Sequence, residues 1–211
     1  MFALIKREVR DHIVYFIGAA AFSAIFIIIS VSIIHNYNPQ KNPPVFSIGL
    51  GVPPVTLVIL GFCAMGAAQM YTDRNRKISA LLSTLAVSRN RILLARIITG
   101  ILAILTLLVP LTITAVVLLR LYAPTVLRYP GIVFDIFTAE FLMAFACYCL
   151  GLLTGWNSGK ITPTLGGIAL TCIFVPLILI KGFGLHIVVI LVLFIVASLI
   201  RTWHTFMSTS L

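Results

Sequence analysis

From Ile13 to Ile34 no residue carries a charge, and uncharged apolar runs recur over Pro54–Tyr71, Ile97–Leu119, Ile161–Ile180 and Leu185–Ile200. About 20 apolar residues in a helix cross the hydrocarbon core of a bilayer. A backbone exposed to lipid must satisfy its own hydrogen bonds, and a helix does so within one segment. Composition excludes the soluble alternative. Only 9% of the 211 residues are charged and 61% are hydrophobic, whereas a soluble domain carries about 25% charged residues. A water-facing fold built from this chain would expose large apolar patches. The expectation is an all-α polytopic membrane protein forming one transmembrane domain over 1–211. An N-terminal interfacial helix over 1–12 precedes six spans at about 13–34, 54–71, 97–119, 132–155, 161–180 and 185–200.

The net charge of +10 follows from the same reading. Cytoplasmic loops of membrane proteins accumulate Lys and Arg, which accounts for the basic balance without a nucleic-acid partner. Of the 15 basic residues, all but Lys41, Arg120, Arg128 and Lys181 fall on the side that holds the N-terminus. That bias predicts both termini in the cytoplasm. Tyr15, Tyr37, Tyr71, Tyr122, Tyr129, Trp156 and Trp203 lie near proposed span ends, as an interfacial aromatic belt requires; only Tyr148 is mid-span. In the first twelve residues, Phe2, Ile5 and Val9, with Ile13 beyond them, recur at helical spacing. Lys6, Arg7, Glu8, Arg10, Asp11 and His12 fill most of the remaining positions. Arg7 with Asp11 and Glu8 with His12 are i,i+4 pairs. Such a helix is expected to lie in the headgroup plane with its cations toward membrane lipid.

Catalytic patterns are not found. Gly155–Lys160 is one residue short of a phosphate-binding loop, and Ile161 stands where a hydroxyl would bind magnesium. His12, His35, His186 and His204 are scattered, without metal-ligand spacing. Cys63, Cys147, Cys149 and Cys172 all fall in apolar runs and read as small buried hydrophobes. The chain is thus expected to be no enzyme and to hold neither a cofactor nor a metal. Two carboxylates remain in the fourth span, Asp135 near its outer end and Glu140 deeper. A carboxylate within a span costs a few kcal/mol unless it pairs, protonates or faces water. Both are candidates for a polar substrate path, with helix capping or a structural contact as the plainer alternative.

The longest cytoplasmic connection, 72–96, is the most informative segment. Ile78, Leu81, Leu82 and Leu85 fall at i, i+3, i+4 and i+7, an apolar stripe on a short helix. Thr72 or Asp73 can cap its start, and Arg74, Arg76, Lys77 and Arg89 flank it. Ser88 can cap the helix leading into the third span. The stripe fits two seats, a lipid surface or the groove of a partner protein.

The run Asp73-Arg74-Asn75-Arg76, then Leu82, Ala86-Val87-Ser88-Arg89, Ile92 and Arg96, resembles the signature of the ABC-2 type transporter permeases. That signature reads acid-Arg-x-x-Gly-Thr, then leucines, then Pro-Val-Ser-Arg and a Lys seven residues on. Asp73 and Arg74 match its opening, Val87, Ser88 and Arg89 its closing triplet, and Arg96 stands for the Lys. Lys77 replaces the Gly, Ala80 a frequent Glu and Ala86 the Pro. The resemblance covers about a tenth of the chain. It implies the permease subunit of an ATP-binding-cassette exporter in a bacterial or archaeal plasma membrane. In that family this loop is a coupling helix seated in a separate cytosolic ATPase subunit, which binds ATP and Mg, and a second permease subunit completes the path. Many relatives carry re-entrant helices between spans five and six, where only Lys181–Gly184 is available here. Two other classes stand beside this one. A non-transporting structural or assembly subunit would use the same loop as a docking peg. An intramembrane lipid enzyme would need clustered Asp, His or Cys at one depth, which only Asp135 and Glu140 approach.

Overall fold

The structure is a computed structural model that describes residues 2–35, 61–72, 89–122, 131–156 and 184–208. Its described residues are all but entirely helical. In chain order the helices are α1 (Phe2–Asp11), α2 (Ile13–His35), α3 (residues 61–72), α4 (Arg89–Tyr122), α5 (Gly131–Trp156) and α6 (Leu185–Ser208). Four segments are long and apolar enough to cross a membrane: Ile13–Ser32, Asn90–Leu118, Phe137–Gly155 and Leu185–Ser208. The chain is accordingly a helical integral membrane protein. Of the expected spans, 161–180 lies outside the described residues, and 54–71 is described only from residue 61, where it is helical.

Two helices run further than the apolar runs that predict them. α4 begins at Arg89 rather than near Ile97, and α6 continues to Ser208 rather than stopping near Ile200. Both extensions have the same cause, an inward face that continues past the last uncharged stretch. In α4, Ile92, Leu93, Arg96, Thr99, Ala103, Ile104 and Leu107 form one buried stripe. In α6, Leu191, Ile195, Ser198, Thr202 and Phe206 are buried at intervals of three or four. Lipid-based hydropathy ends where charge begins, whereas packing follows the 3.6-residue period. α4 also continues through Pro110, where Thr114 Oγ1 donates to the Pro110 carbonyl at 2.8 Å.

α5 is the central helix. Of its spanning window 56% is buried, against 11% for α2. α6 and α4 pack on α5, α2 packs on α4, and α1 packs chiefly on α4. α2 buries little beyond Ala19 and Ser23 and exposes Val14, Ile17, Ile28 and other large apolar residues, a face suited to lipid tails. α3 and α5 approach backbone to backbone. A Cβ placed at Gly151 would strike the Cys63 carbonyl, and one at Gly155 the Ala67 carbonyl. Small residues permit such close approach in membranes, where van der Waals contact replaces the hydrophobic effect as the driving force. Because Cys63 meets Gly151 and Ala67 meets Gly155, α3 and α5 run parallel.

α1 differs from the sequence expectation in which face it presents. Both predicted pairs form, with Arg7 Nε 3.6 Å from Asp11 and His12 Nε2 3.7 Å from Glu8. Lys6, Arg7, Arg10 and Asp11 are exposed, while Leu4, Ile5, Glu8, Val9 and His12 are half-buried. Glu8 therefore belongs to the packed face. Its position one turn from Leu4, Ile5 and His12 places it there, and the partner that justifies it lies on another helix.

Candidate functional site

That partner is Arg96. Its guanidinium sits on the buried stripe of α4 at 2% exposure, where a charge requires local compensation. Glu8 of α1 supplies the counter-charge, with Oε1 3.5 Å from Arg96 Nε. Arg96 Nη1 also reaches Met70 Sδ on α3 at 3.4 Å, and the guanidinium lies over the Phe206 ring of α6 at 5.9 Å from its centroid. The guanidinium suits this surrounding because it is planar and weakly hydrated, and it stacks on aromatic faces.

α5 joins through the backbone of the same residue. Tyr148, completely buried, donates its phenol to the Arg96 carbonyl at 2.8 Å and lies 2.6 Å from Gln69 Oε1 on α3. A phenol has one proton to give. Both contacts are satisfied when that proton goes to the Arg96 carbonyl and the Gln69 amide is turned so that its nitrogen donates to Tyr148 Oη. This orientation also pairs the Gln69 Nε2 group, otherwise buried without a partner among the described residues. The Tyr148 ring fits because position 100 is glycine: a Cβ there would overlap the ring. From the site, an aromatic ladder climbs α5 through Phe145, Phe141 and Phe137, with successive centroids 6.1 to 6.4 Å apart.

His12 borders the cluster at the bend between α1 and α2. Its amide donates to the Glu8 carbonyl at 3.1 Å and its carbonyl accepts from Tyr15 at 3.0 Å. Burial holds the imidazole below its ordinary pKa, the Glu8 and Asp11 carboxylates pull it upward, and Arg96 pushes it further down. Neutral imidazole is thus the form this site favours.

The cluster fixes the arrangement of helix ends. α3 ends and α4 begins beside it, α1 lies against it, and the last turns of α6 reach it through Phe206. The 73–88 segment therefore leaves and re-enters the described bundle at the end where α1 sits.

Of the residues singled out from sequence, Asp73, Arg74, Arg76, Lys77, Ile78, Leu81, Leu82 and Leu85 lie outside the described residues, and Arg89 is the first residue of α4. Glu140 is half-buried on α5 and Asp135 is exposed nearer its start. Neither forms an ion pair with another described residue, and the structure does not bring them to the Arg96 cluster. Cys63, Cys147 and Cys149 are buried. Among the described residues no three His, Cys, Asp or Glu side chains gather as a metal site would require.

Sequence reasoning placed Arg96 in a motif but missed its role. The available signal was its phase: Ile92, Leu93, Thr99 and Ala103 flank it at helical spacing, so a charge at 96 had to point inward. Glu8, Gln69, Met70 and Phe206 carried no such signal, because each is recruited by a helix distant in sequence. Comparison of the chain with protein-family models, curated proteins and solved structures finds no match.

Proposed function

We propose that this chain is the permease subunit of an ATP-binding-cassette transporter of the ABC-2 type, moving a substrate across the membrane, in the direction of export. A separate ATPase subunit, carrying ATP and Mg, docks on the 72–96 loop, and a second permease subunit completes the path. The observation that carries this reading is the Arg96 cluster. The two helices flanking the loop are tied at its base, through Met70 and Arg96, to α1, α5 and α6. A push delivered where α3 ends and α4 begins would thus reach α1, α5 and α6 through these contacts.

Six spans with both termini in the cytoplasm belong to the same proposal, and the order of the described helix ends and the basic-residue bias support them. α5 runs parallel to α3 toward the cluster end. α6 also finishes there, and at about 1.5 Å per residue its 24 residues start it at the opposite end. In this reading the chain between α5 and α6 supplies a further crossing, and the bias supports a cytoplasmic cluster end in a bacterial or archaeal cell. Within the loop, Ile78, Leu81, Leu82 and Leu85 form the knob, and Asp73, Arg74, Arg76, Lys77 and Arg89 fix it. Glu140 and Asp135 line the substrate path.

Native purification from membranes tests the reading. A P-loop ATPase should accompany the chain, and Leu81→Asp or Arg89→Glu should abolish its stimulated ATP hydrolysis while the chain still elutes as a folded particle. Retained stimulation in both variants, or the absence of any ATPase companion, would remove the proposal in favour of a structural or assembly subunit.

A further inference from the structure

α1 has the construction of a pivoted arm. His12 alone separates its last helical residue from the first of α2, so a change at one residue's backbone could swing α1 against the span. Ten residues are too few to hold a helix in water unaided. The exposed Arg7–Asp11 pair adds little. What seats the arm is its packed face, where Leu4, Ile5 and Val9 are only half-buried and Glu8 meets a guanidinium nine-tenths or more buried. Without Glu8, Arg96 would lose a carboxylate that compensates its charge, and the arm a charged tie to α4.

We propose that the Glu8–Arg96 pair is a latch that makes α1 and the first turns of α4 one moving unit hinged at His12. The last step, that this unit carries displacement of the 73–88 loop to the interfacial helix, rests on the ATPase-driven reading above; the latch itself does not. The hinge and the latch lie within four residues of one another on the same helix face. Disengagement of the pair therefore frees the whole arm rather than fraying one end.

Amide hydrogen exchange on the full chain in lipid nanodiscs tests this. Glu8→Gln should speed exchange over residues 2–11 about tenfold or more, with residues 13–32 and 137–155 unchanged. Arg7→Gln, which breaks the exposed pair, should leave α1 as protected as in the wild type. Unchanged protection of α1 in Glu8→Gln, or equal loosening of every helix, would overturn the latch. With the ATPase subunit bound, nucleotide should alter exchange over 2–11 and 89–100 together in the wild type, and over 89–100 alone in Glu8→Gln. A latch intact in the isolated chain, with no nucleotide effect in the complex, would instead fault the transport reading.

Discussion

A guanidinium at 2% exposure decides more of this structure than any other single side chain. Removing one partner of a buried ion pair costs about 3–5 kcal/mol, whereas replacing both by apolar groups is often neutral. Arg96 is therefore weak grounds for stability and better understood as a device that fixes which helices meet. His12, one turn from Glu8, makes the same neighbourhood sensitive to acid. Its pKa is lowered in the fold, chiefly by burial, so on acidification the unfolded chain takes up the proton first. Stability is then full above the unfolded value, about 6.5, and declines as pH falls from there toward the folded value. Thermal melting in detergent at pH 7.5 and 5.5 should show a lower midpoint at the acid pH. His12→Gln should remove most of that difference, and an identical drop in both proteins would assign the acid sensitivity elsewhere.

At the scale of elements, the α3–α5 seam is the contact with least tolerance. Gly151 faces the Cys63 carbonyl and Gly155 the Ala67 carbonyl, so an added methyl meets backbone that cannot rotate away. Overpacking of this kind costs roughly 1–3 kcal/mol. Gly151→Ala should lower the melting midpoint by several degrees. Gly18→Ala, on a lipid-facing turn of α2 with nothing near its Cβ position, should leave the midpoint unchanged or raise it slightly. Equal effects would deny the seam its role. The seam also marks how far sequence reading carried. The spans at α2 and α5 were legible because their edges coincide with charge or with proline and glycine. The start of α4 and the end of α6 were not, since Arg96 and Arg201 interrupt hydropathy while the packed face continues past them. Glycines 151 and 155 look ordinary in sequence, and only the approach of two helices gives them meaning. The apolar stripe of the first residues likewise predicted a helix correctly but assigned Glu8 to the wrong face, since an inward carboxylate has no rationale until Arg96 appears beside it.

For the whole molecule, the arrangement of ends is the claim with the widest consequences. If the Arg96 cluster marks the cytoplasmic end, Lys6 and His204 share that side, while Arg120 lies opposite. From Arg96 to Arg120 along α4 is about 36 Å at 1.5 Å per residue, more than the hydrocarbon thickness of a bilayer. All three side chains are exposed, and the described native cysteines are buried, so single cysteines at positions 6, 120 and 204 can report sidedness. In intact cells a membrane-impermeant thiol reagent should label Arg120→Cys and spare Lys6→Cys and His204→Cys; in opened membranes it should label all three. Labelling of Lys6→Cys from outside would invert the orientation and put the 73–88 loop beyond the reach of a cytosolic ATPase. Discordant labelling of positions 6 and 204 would break the shared end itself, because Phe206 and Glu8 approach the same guanidinium. The basic residues and the buried cluster thus make one joint prediction by independent routes, one through the cost of moving Lys and Arg across lipid and the other through the contacts of a single side chain.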